Sequence, residues 1–154
     1  MKGTSRKVWA WALYDWANSA FAVIVMAGFF PVFFKQFWSG DVENNISTFR
    51  LGIANSLSGL VVVLLAPLLG AIADQGSTRQ RFLLLFALIG STMTACLHLV
   101  EQGAWVLAIF VYTAATDSYS MANTFYDSLL SDVAPPERAD ANSSLGYGLG
   151  YLGG

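Results

Sequence analysis

The chain has 154 residues, of which 55% are hydrophobic and only 12% are charged, and its formal net charge is −2. Ordinary soluble domains carry about a quarter charged residues, so the composition excludes a typical soluble domain. There is no basic patch to support nucleic-acid binding. The single cysteine excludes an internal disulfide, and no cysteine–histidine spacing predicts a metal site. Apolar runs of about 20 residues recur between short polar loops, which indicates an all-α membrane protein.

The hydropathy pattern predicts four transmembrane helices plus the start of a fifth, at residues 8–34, 51–73, 82–100, 104–133 and 145–154. The first span follows three basic residues, as a signal peptide would. It is longer than the apolar region of a signal peptide, about 7–15 residues, and it contains Asp15. We therefore interpret it as an uncleaved span. Trp9, Trp11 and Trp16 at its start fit an interfacial aromatic belt.

The fifth apolar segment is too short to cross a bilayer before the sequence stops at Gly154. We therefore expect an N-terminal fragment of a longer protein, whose C-terminal half is missing. The alternative is a complete protein with a glycine-rich end. Within this segment Gly146, Gly150 and Gly154 recur every four residues, a spacing that lets another membrane helix approach closely.

Basic residues near span ends predict the orientation, because cytoplasmic loops are enriched in lysine and arginine. If the spans alternate, six basic residues fall on the side of the N-terminus: Lys2, Arg6, Lys7, Arg79, Arg81 and Arg138. Only Lys35 and Arg50 fall on the opposite side. We expect an integral membrane protein with a cytoplasmic N-terminus, in the inner (plasma) membrane if the source is bacterial.

Two of the spans carry polar side chains where polarity is expensive, since a carboxylate at the centre of a membrane helix costs roughly 2.5–3.5 kcal/mol. In the first span Asp15, Asn18 and Ser19 share one helix face. In the fourth span a larger set falls within an arc of roughly 120° at 100° per residue: Thr113, Thr116, Asp117, Ser120, Asn123, Thr124, Asp127 and Ser131. Such a face should contact protein or water rather than lipid.

Six of these residues are our candidates for a solute or ion path: Asp15, Asn18, Asp117, Ser120, Asn123 and Asp127. Asp15 and Asp127 should lie at similar depths near the cytoplasmic end, where both could line one vestibule. The alternative is that the carboxylates brace helices through hydrogen bonds. Interhelical hydrogen bonding is also the simpler interpretation of the polar cluster in the second span, Asn55, Ser56 and Ser58.

The connection after the second span contains Gly70, Asp74, Arg79 and Arg81. A glycine four residues before an aspartate, followed by a turn and basic residues, resembles the gating loop of the major facilitator superfamily. Gln75 stands where a basic residue usually follows the aspartate, and the spacing of the glycine and the basic residues is shifted. Ordinary enrichment of cytoplasmic loops in basic residues is the alternative explanation.

Longer segments resemble one branch of that superfamily, the vacuole effluxer family of autophagy-related amino-acid exporters and their bacterial relatives. They are WALYDWANSAF at 11–21, FFPVFFK at 29–35, APLLGAIAD at 66–74, YDSLL at 126–130 and SSLGYGLGYLGG at 143–154. The resemblance implies a twelve-helix transporter of two six-helix halves that works by alternating access. This chain would supply part of the first half, with its first and fourth helices lining the central cavity.

We therefore expect a secondary active transporter of a small solute, with no cofactor and no enzymatic activity. The resemblance suggests amino acid efflux, and one carboxylate could carry a coupling proton. A non-transporting membrane scaffold or sensor is the main alternative. An intramembrane aspartyl protease is a remoter one, raised by Tyr14-Asp15 and Tyr126-Asp127. The sequence lacks the Gly-x-Gly-Asp segment that such enzymes carry.

Overall fold

The fold was obtained as a computed structural model, which describes residues 6–40, 42–73 and 78–154. These residues form five long helices: α1 (Arg6–Trp38), α2 (Asn44–Ala73), α3 (Arg79–Cys96), α4 (Trp105–Ser128) and α5 (Ala139–Gly153). A 3₁₀ turn, Leu97–Leu99, extends α3. A short helical turn, Leu130–Val133, and a 3₁₀ turn, Pro136–Arg138, connect α4 to α5. The described residues contain no strand, which confirms the all-helical class.

Three helices among the described residues are long and apolar enough to cross a membrane: Arg6–Trp38, Asn44–Ile72 and Arg79–Leu99. At 24 residues, α4 is also long enough, because about 20 helical residues span the hydrocarbon core. It is less apolar than the other three because it carries Asp117, Asn123 and Asp127 among several hydroxyl groups.

Four of the helices begin before the apolar runs from which their positions were predicted, whereas α4, Trp105–Ser128, is shorter than the predicted span 104–133. The largest difference is at α2, which begins at Asn44 rather than at residue 51. Its first turn is polar, and the hydroxyls of Ser47 and Thr48 donate to the carbonyl of Asn44 at 3.0 and 2.7 Å. Hydropathy does not register such a turn, because these residues favour the end of a helix without favouring the hydrocarbon core.

Contacts between side chains fix the directions of neighbouring helices. Along α1 and α4, Trp11 meets Tyr126, Asn18 meets Asn123 and Phe30 meets Tyr112, so these two helices are antiparallel. By the same reasoning α3 is antiparallel to α4, since Phe82 stacks on Phe125 and Gly90 approaches Ser118. In contrast, α2 is parallel to α4, and α5 is parallel to α1. Successive helices therefore alternate in direction, with α4 packed against α1, α2 and α3.

Two apolar clusters hold the ends of the bundle. At the C-terminal end of α1, Phe30, Phe34 and Trp38 are almost fully buried, and Phe30 stacks on Tyr112 with the ring centroids 3.6 Å apart. The Trp38 indole also donates to the carbonyl of Val100 at 3.1 Å. At the N-terminal end of α1, Trp11 and Ala12 pack against Tyr126 and Leu129 of the α4 end. The candidate polar residues lie between and beside these clusters.

Helix α1 changes its winding between the two clusters. Residues Phe21–Phe29 and Phe34–Trp38 are π-helical, whereas the segments Arg6–Ala20 and Phe30–Phe33 are α-helical. Long π-helical stretches are rare, and π-helical turns are frequent at functional sites. The first stretch starts immediately after the polar face formed by Asp15, Asn18 and Ser19.

Candidate functional site

Residues on the polar face of α4 lie against different helices at different points along its length. Thr113 and Thr116 are buried, Asp117 bonds to α2, Asn123 bonds to α1, and Asp127 faces a cavity beside α5. Several hydroxyl groups bond within α4 itself: those of Ser120 and Thr124 donate to the carbonyls of Thr116 and Ser120, four residues back. This local bonding makes the Ser120 and Thr124 hydroxyl groups compatible with an apolar bundle. The carboxylates and amides must instead find partners on other helices.

Asn18 of α1 and Asn123 of α4 form a direct pair. The Asn18 side-chain nitrogen donates to the Asn123 side-chain oxygen at 2.7 Å, and both side chains are half-buried. Two amides can donate and accept at once, so the pair joins the two helices and leaves hydrogen-bonding capacity for another molecule.

The Asp117 carboxylate accepts a short hydrogen bond from the Ser58 hydroxyl of α2. Ser58 is buried, so the bond joins α2 to α4 in the interior of the bundle. The Ser58 contact agrees with the interhelical bonding predicted for the polar cluster of α2. It also separates Asp117 from the other two carboxylates, because Asp117 faces α2 whereas Asp15 and Asp127 face α5.

Asp15 and Asp127 line one cavity of about 460 Å³ between α1, α4 and α5. Its wall also includes Asn123 and four aromatic side chains. Ligand pockets in proteins typically measure about 300–1,000 Å³, so the volume suits a small solute. The lining residues are Trp11, Asp15, Tyr119, Asn123, Tyr126, Asp127, Leu130, Ser143 and Tyr147. Asp15 additionally lines a smaller cavity of about 300 Å³ that continues along the α1–α5 interface.

Two residues in the wall of the 460 Å³ cavity, Trp11 and Tyr126, belong to a stack of aromatic rings. Trp11 lies almost parallel to Tyr126, with centroids 4.5 Å apart, and Tyr14 stacks on Tyr126 at 5.3 Å. The Trp11 indole N–H also donates to the backbone carbonyl of Tyr126 at 3.1 Å. The Tyr126 hydroxyl is buried and has no hydrogen-bond partner among the described residues. Such a group is costly to leave unsatisfied, so it marks a place where a ligand or water would be stabilised.

Glycines of α5 allow α1 to form the cavity wall at close range. A Cβ atom added to Gly146 would lie 2.6 Å from the Trp11 ring, and one added to Gly150 would lie 2.6 Å from the Asp15 carboxylate. At Gly153 an added Cβ would overlap the backbone of Trp16, and at Gly154 it would meet the Val23 side chain. The four-residue glycine repeat therefore lies on the face of α5 that packs against α1.

Three of the four residues of the predicted gating loop, Gly70, Arg79 and Arg81, lie within the described part of the chain. Arg79 donates to the Asp132 carboxylate and to the Ser128 carbonyl, both at 3.1 Å, and so links the start of α3 to the end of α4. Arg81 is exposed. Around Gly70 there is open space for an added Cβ. Asp74 lies outside the described residues.

Sequence reasoning did not select several residues of the cavity wall. Trp11, Tyr119, Ser143 and Tyr147 line the cavity but were not among the candidates. Trp11 was assigned to an aromatic belt, yet only 8% of it is exposed, whereas Trp9 and Trp16 are 45% and 47% exposed. One signal was present: Trp11 lies four residues before Asp15, which places both on one helix face.

A second cavity, of about 560 Å³, lies between α1, α3 and α4 and is mostly apolar. Its wall includes Asn18, Phe21, Phe86 and Gly90, and Tyr119 lines both this cavity and the acidic one. Among the described residues no carboxylate lines it, whereas the cavity of about 460 Å³ beside α5 combines two carboxylates with aromatic rings. Within the part of the chain that the structure describes, no group of three or more His, Cys, Asp or Glu side chains could hold a metal ion.

The amino-acid sequence of the chain is similar to those of two curated bacterial proteins. The chain is 37% identical to the uncharacterized MFS-type transporter YxiO of Bacillus subtilis (strain 168), over 99% of this chain and 36% of that protein. It is 31% identical to an uncharacterized protein of Aquifex aeolicus (strain VF5), over 94% of this chain and 35% of that protein. The chain thus spans about a third of the length of these curated relatives. No solved structure matches it significantly.

The family described as vacuole effluxer Atg22 like matches residues 3–48 and 39–143, which together cover most of the chain. The matched region includes α1, α2, α3 and α4 and therefore both carboxylates of the cavity. This family match agrees with the family resemblance identified from the sequence, and the similarity to an MFS-type transporter supports it. The chain belongs to the vacuole effluxer Atg22-like family.

Proposed function

We propose that the chain is part of the N-terminal six-helix half of a twelve-helix secondary transporter, in which four helices and the start of a fifth cross the membrane. Similarity to an MFS-type transporter over a third of that protein's length supports this placement. The alternating directions of α1 to α5 suit successive membrane crossings. The excess of basic residues on one side supports a cytoplasmic N-terminus, in the inner membrane of a bacterium.

The observation that carries the proposal is the cavity shared by Asp15 of α1 and Asp127 of α4. Membrane helices pay a cost for each carboxylate, so charged groups in them usually face a path for substrate or ions. The solute path would include Asp15, Asn18, Asp117, Ser120, Asn123 and Asp127. A small solute would bind there and be released on the other side by alternating access. One of the carboxylates would carry a coupling proton, and amino acids are the first candidate solutes.

The Arg79–Asp132 pair would belong to the cytoplasmic gate. It joins the start of α3 to the end of α4, close in sequence to Asp127. Gly70, Asp74 and Arg81 would complete the gating loop. Because Asp132 is 54% exposed, water screens the pair, and its strength suits a contact that opens and closes.

Flux in proteoliposomes containing the full-length protein tests the proposed function. Asp15→Asn and Asp127→Asn keep the size of each side chain but remove its charge, and each should lower flux at least tenfold while the protein remains folded. Glu101→Gln, in the connection between α3 and α4, removes a charge far from the cavity and is the matched control. Wild-type flux in both cavity variants would refute the assignment of the path. Absence of flux of any solute by the wild-type protein would favour a scaffold or sensor.

A further inference from the structure

The volume of the cavity between α1, α4 and α5 limits the size of the solute that can bind there. The chemical groups in its wall also limit the kind of solute. Its wall carries two carboxylates, those of Asp15 and Asp127, and its described residues include no lysine or arginine. Two like charges at the edge of one low-dielectric cavity repel each other unless one takes up a proton or a positive charge lies between them, and neither arrangement favours an anion. This half of the cavity is therefore better suited to a cation than to an anion.

The aromatic residues in the cavity wall also favour a cation. Trp11, Tyr119 and Tyr147 join the two carboxylates in the wall. Aromatic faces attract ammonium groups and are used to recognise substituted ammonium ligands. An inorganic cation would gain less from these rings, because it would have to lose a more tightly held hydration shell.

Tyr126 adds a polar group that is ready for a ligand. Tyr126 lies in the wall of the cavity, and its ring stacks on Trp11 and Tyr14. Tyr126 is 5% exposed, and its hydroxyl lacks a partner among the described residues. A hydroxyl oxygen accepts hydrogen bonds, and an ammonium group donates them.

We propose that the cavity lined by Asp15, Asp127, Trp11 and Tyr126 binds the substituted ammonium group of an organic solute. The proposal rests on the transporter function proposed above and names the part of the solute that this half of the protein recognises. A free organic amine and the amino group of an amino acid share this chemistry. A solute without an ammonium group would not be held by these residues.

Equilibrium binding to the purified full-length protein tests the proposal with four probes. Choline is a cation without a carboxylate, and leucine is a zwitterion with an ammonium group. N-acetyl-leucine keeps the leucine side chain but has no ammonium group, and succinate is an anion. Choline, leucine or both should bind, whereas N-acetyl-leucine and succinate should bind at least tenfold more weakly. Choline binding would identify free organic cations as the solutes, and binding of leucine alone would identify amino acids.

Matched variants connect the binding to this cavity. Asp127→Asn and Asp15→Asn should weaken binding of the ammonium probe by about tenfold or more. For leucine this is the effect expected for loss of a charge-assisted hydrogen bond, and for choline, whose quaternary ammonium group has no N–H, it is the loss of an opposite charge. Asp127 is exposed, so its variant should fold even if Asp15→Asn does not. Asp140→Asn, an exposed charge at the start of α5 outside the lining, should bind like the wild type. Tyr126→Phe removes only the hydroxyl and should cause a smaller loss for leucine, whose ammonium group donates hydrogen bonds.

Failure of this proposal can be distinguished from failure of the proposed function. Equal binding of leucine and N-acetyl-leucine, no binding of either ammonium probe, or ammonium binding unchanged in Asp127→Asn would overturn the inference. Flux of a neutral or anionic solute that is independent of both carboxylates would do the same, while leaving the protein a transporter. Ammonium binding without flux in proteoliposomes would instead support the site and contradict the transport function.

Discussion

The Asp15 carboxylate of α1 lies directly against Gly150 of α5, since a Cβ atom added to Gly150 would lie 2.6 Å from it. The space that lets Asp15 reach the cavity wall therefore exists only because residue 150 is glycine. The same added atom would lie 3.0 Å from the Ser19 hydroxyl, so the side chain on α1 could not move aside freely. The position of the Asp15 carboxylate on α1 therefore depends on the small size of the residue that faces it on α5.

Gly150→Ala should destabilise the protein by about 1–3 kcal/mol, because the added methyl group overpacks the α1–α5 interface. Gly148→Ala is the matched control, since nothing lies within 4 Å of an added Cβ there. Alanine is the better helix former, so the control should be neutral or slightly stabilising. Thermal unfolding of the purified full-length variants measures both effects. Equal unfolding temperatures would show that α5 does not pack on α1 through this face.

Trp11→Phe should lower the free energy of unfolding by about 1–3 kcal/mol, because the smaller phenyl ring leaves part of a buried site unfilled and no N–H bonds to the Tyr126 carbonyl. Trp9→Phe, on an exposed side chain two residues earlier, should change stability much less. Chemical unfolding followed by circular dichroism compares the two. A larger effect at Trp9 would mean that Trp9, and not Trp11, is the tryptophan held in the bundle.

The Asn18–Asn123 hydrogen bond should appear as coupling in a double-mutant cycle. Asn18→Ala and Asn123→Ala, alone and together, should give a coupling free energy of about 0.6 kcal/mol, the average for interhelical side-chain hydrogen bonds in membranes. Unfolding of the four proteins measures it. Strict additivity, with the effect of the double variant equal to the sum of the single effects, would be incompatible with a direct bond.

Arg79→Ala should reduce flux more than Arg81→Ala, because Arg79 bonds to both the Asp132 carboxylate and the Ser128 carbonyl. Asp132→Asn should have an intermediate effect, since it removes the charge partner but leaves the bond to the carbonyl. Initial rates in proteoliposomes order the three variants. If Arg81→Ala is the most damaging, the gate contact has been assigned to the wrong arginine.

The sequence was sufficient to predict the helical class and the polar face of α4, because both depend on local periodicity. It was not sufficient to predict how that face divides among neighbours. Asn18 and Asn123 are 105 residues apart, and Ser58 and Asp117 are 59 apart, so their pairing depends on the register of separate helices. Only the register shows that Asp117 bonds to α2 while Asp127 faces the cavity.

Other parts of the site were missed because their residue types have a common alternative explanation. A tryptophan near the start of a span usually indicates the membrane interface, and this pattern concealed the buried position of Trp11. Ser143 lies on the first part of α5, which begins six residues before the apolar run at 145 that the prediction used. Hydropathy could not register this first polar part of the helix, although it forms one side of the cavity.

Protection of a single cysteine in the cavity tests the central claim most directly. Ser143 lines the cavity, so Ser143→Cys in a full-length Cys96→Ser background places one thiol of this region beside Asp127. Ser144→Cys, on the exposed neighbouring residue outside the lining, is the control. Saturating choline or leucine should slow maleimide labelling at residue 143 several-fold and leave labelling at residue 144 unchanged. Equal labelling rates at residue 143 with and without both solutes would contradict the account.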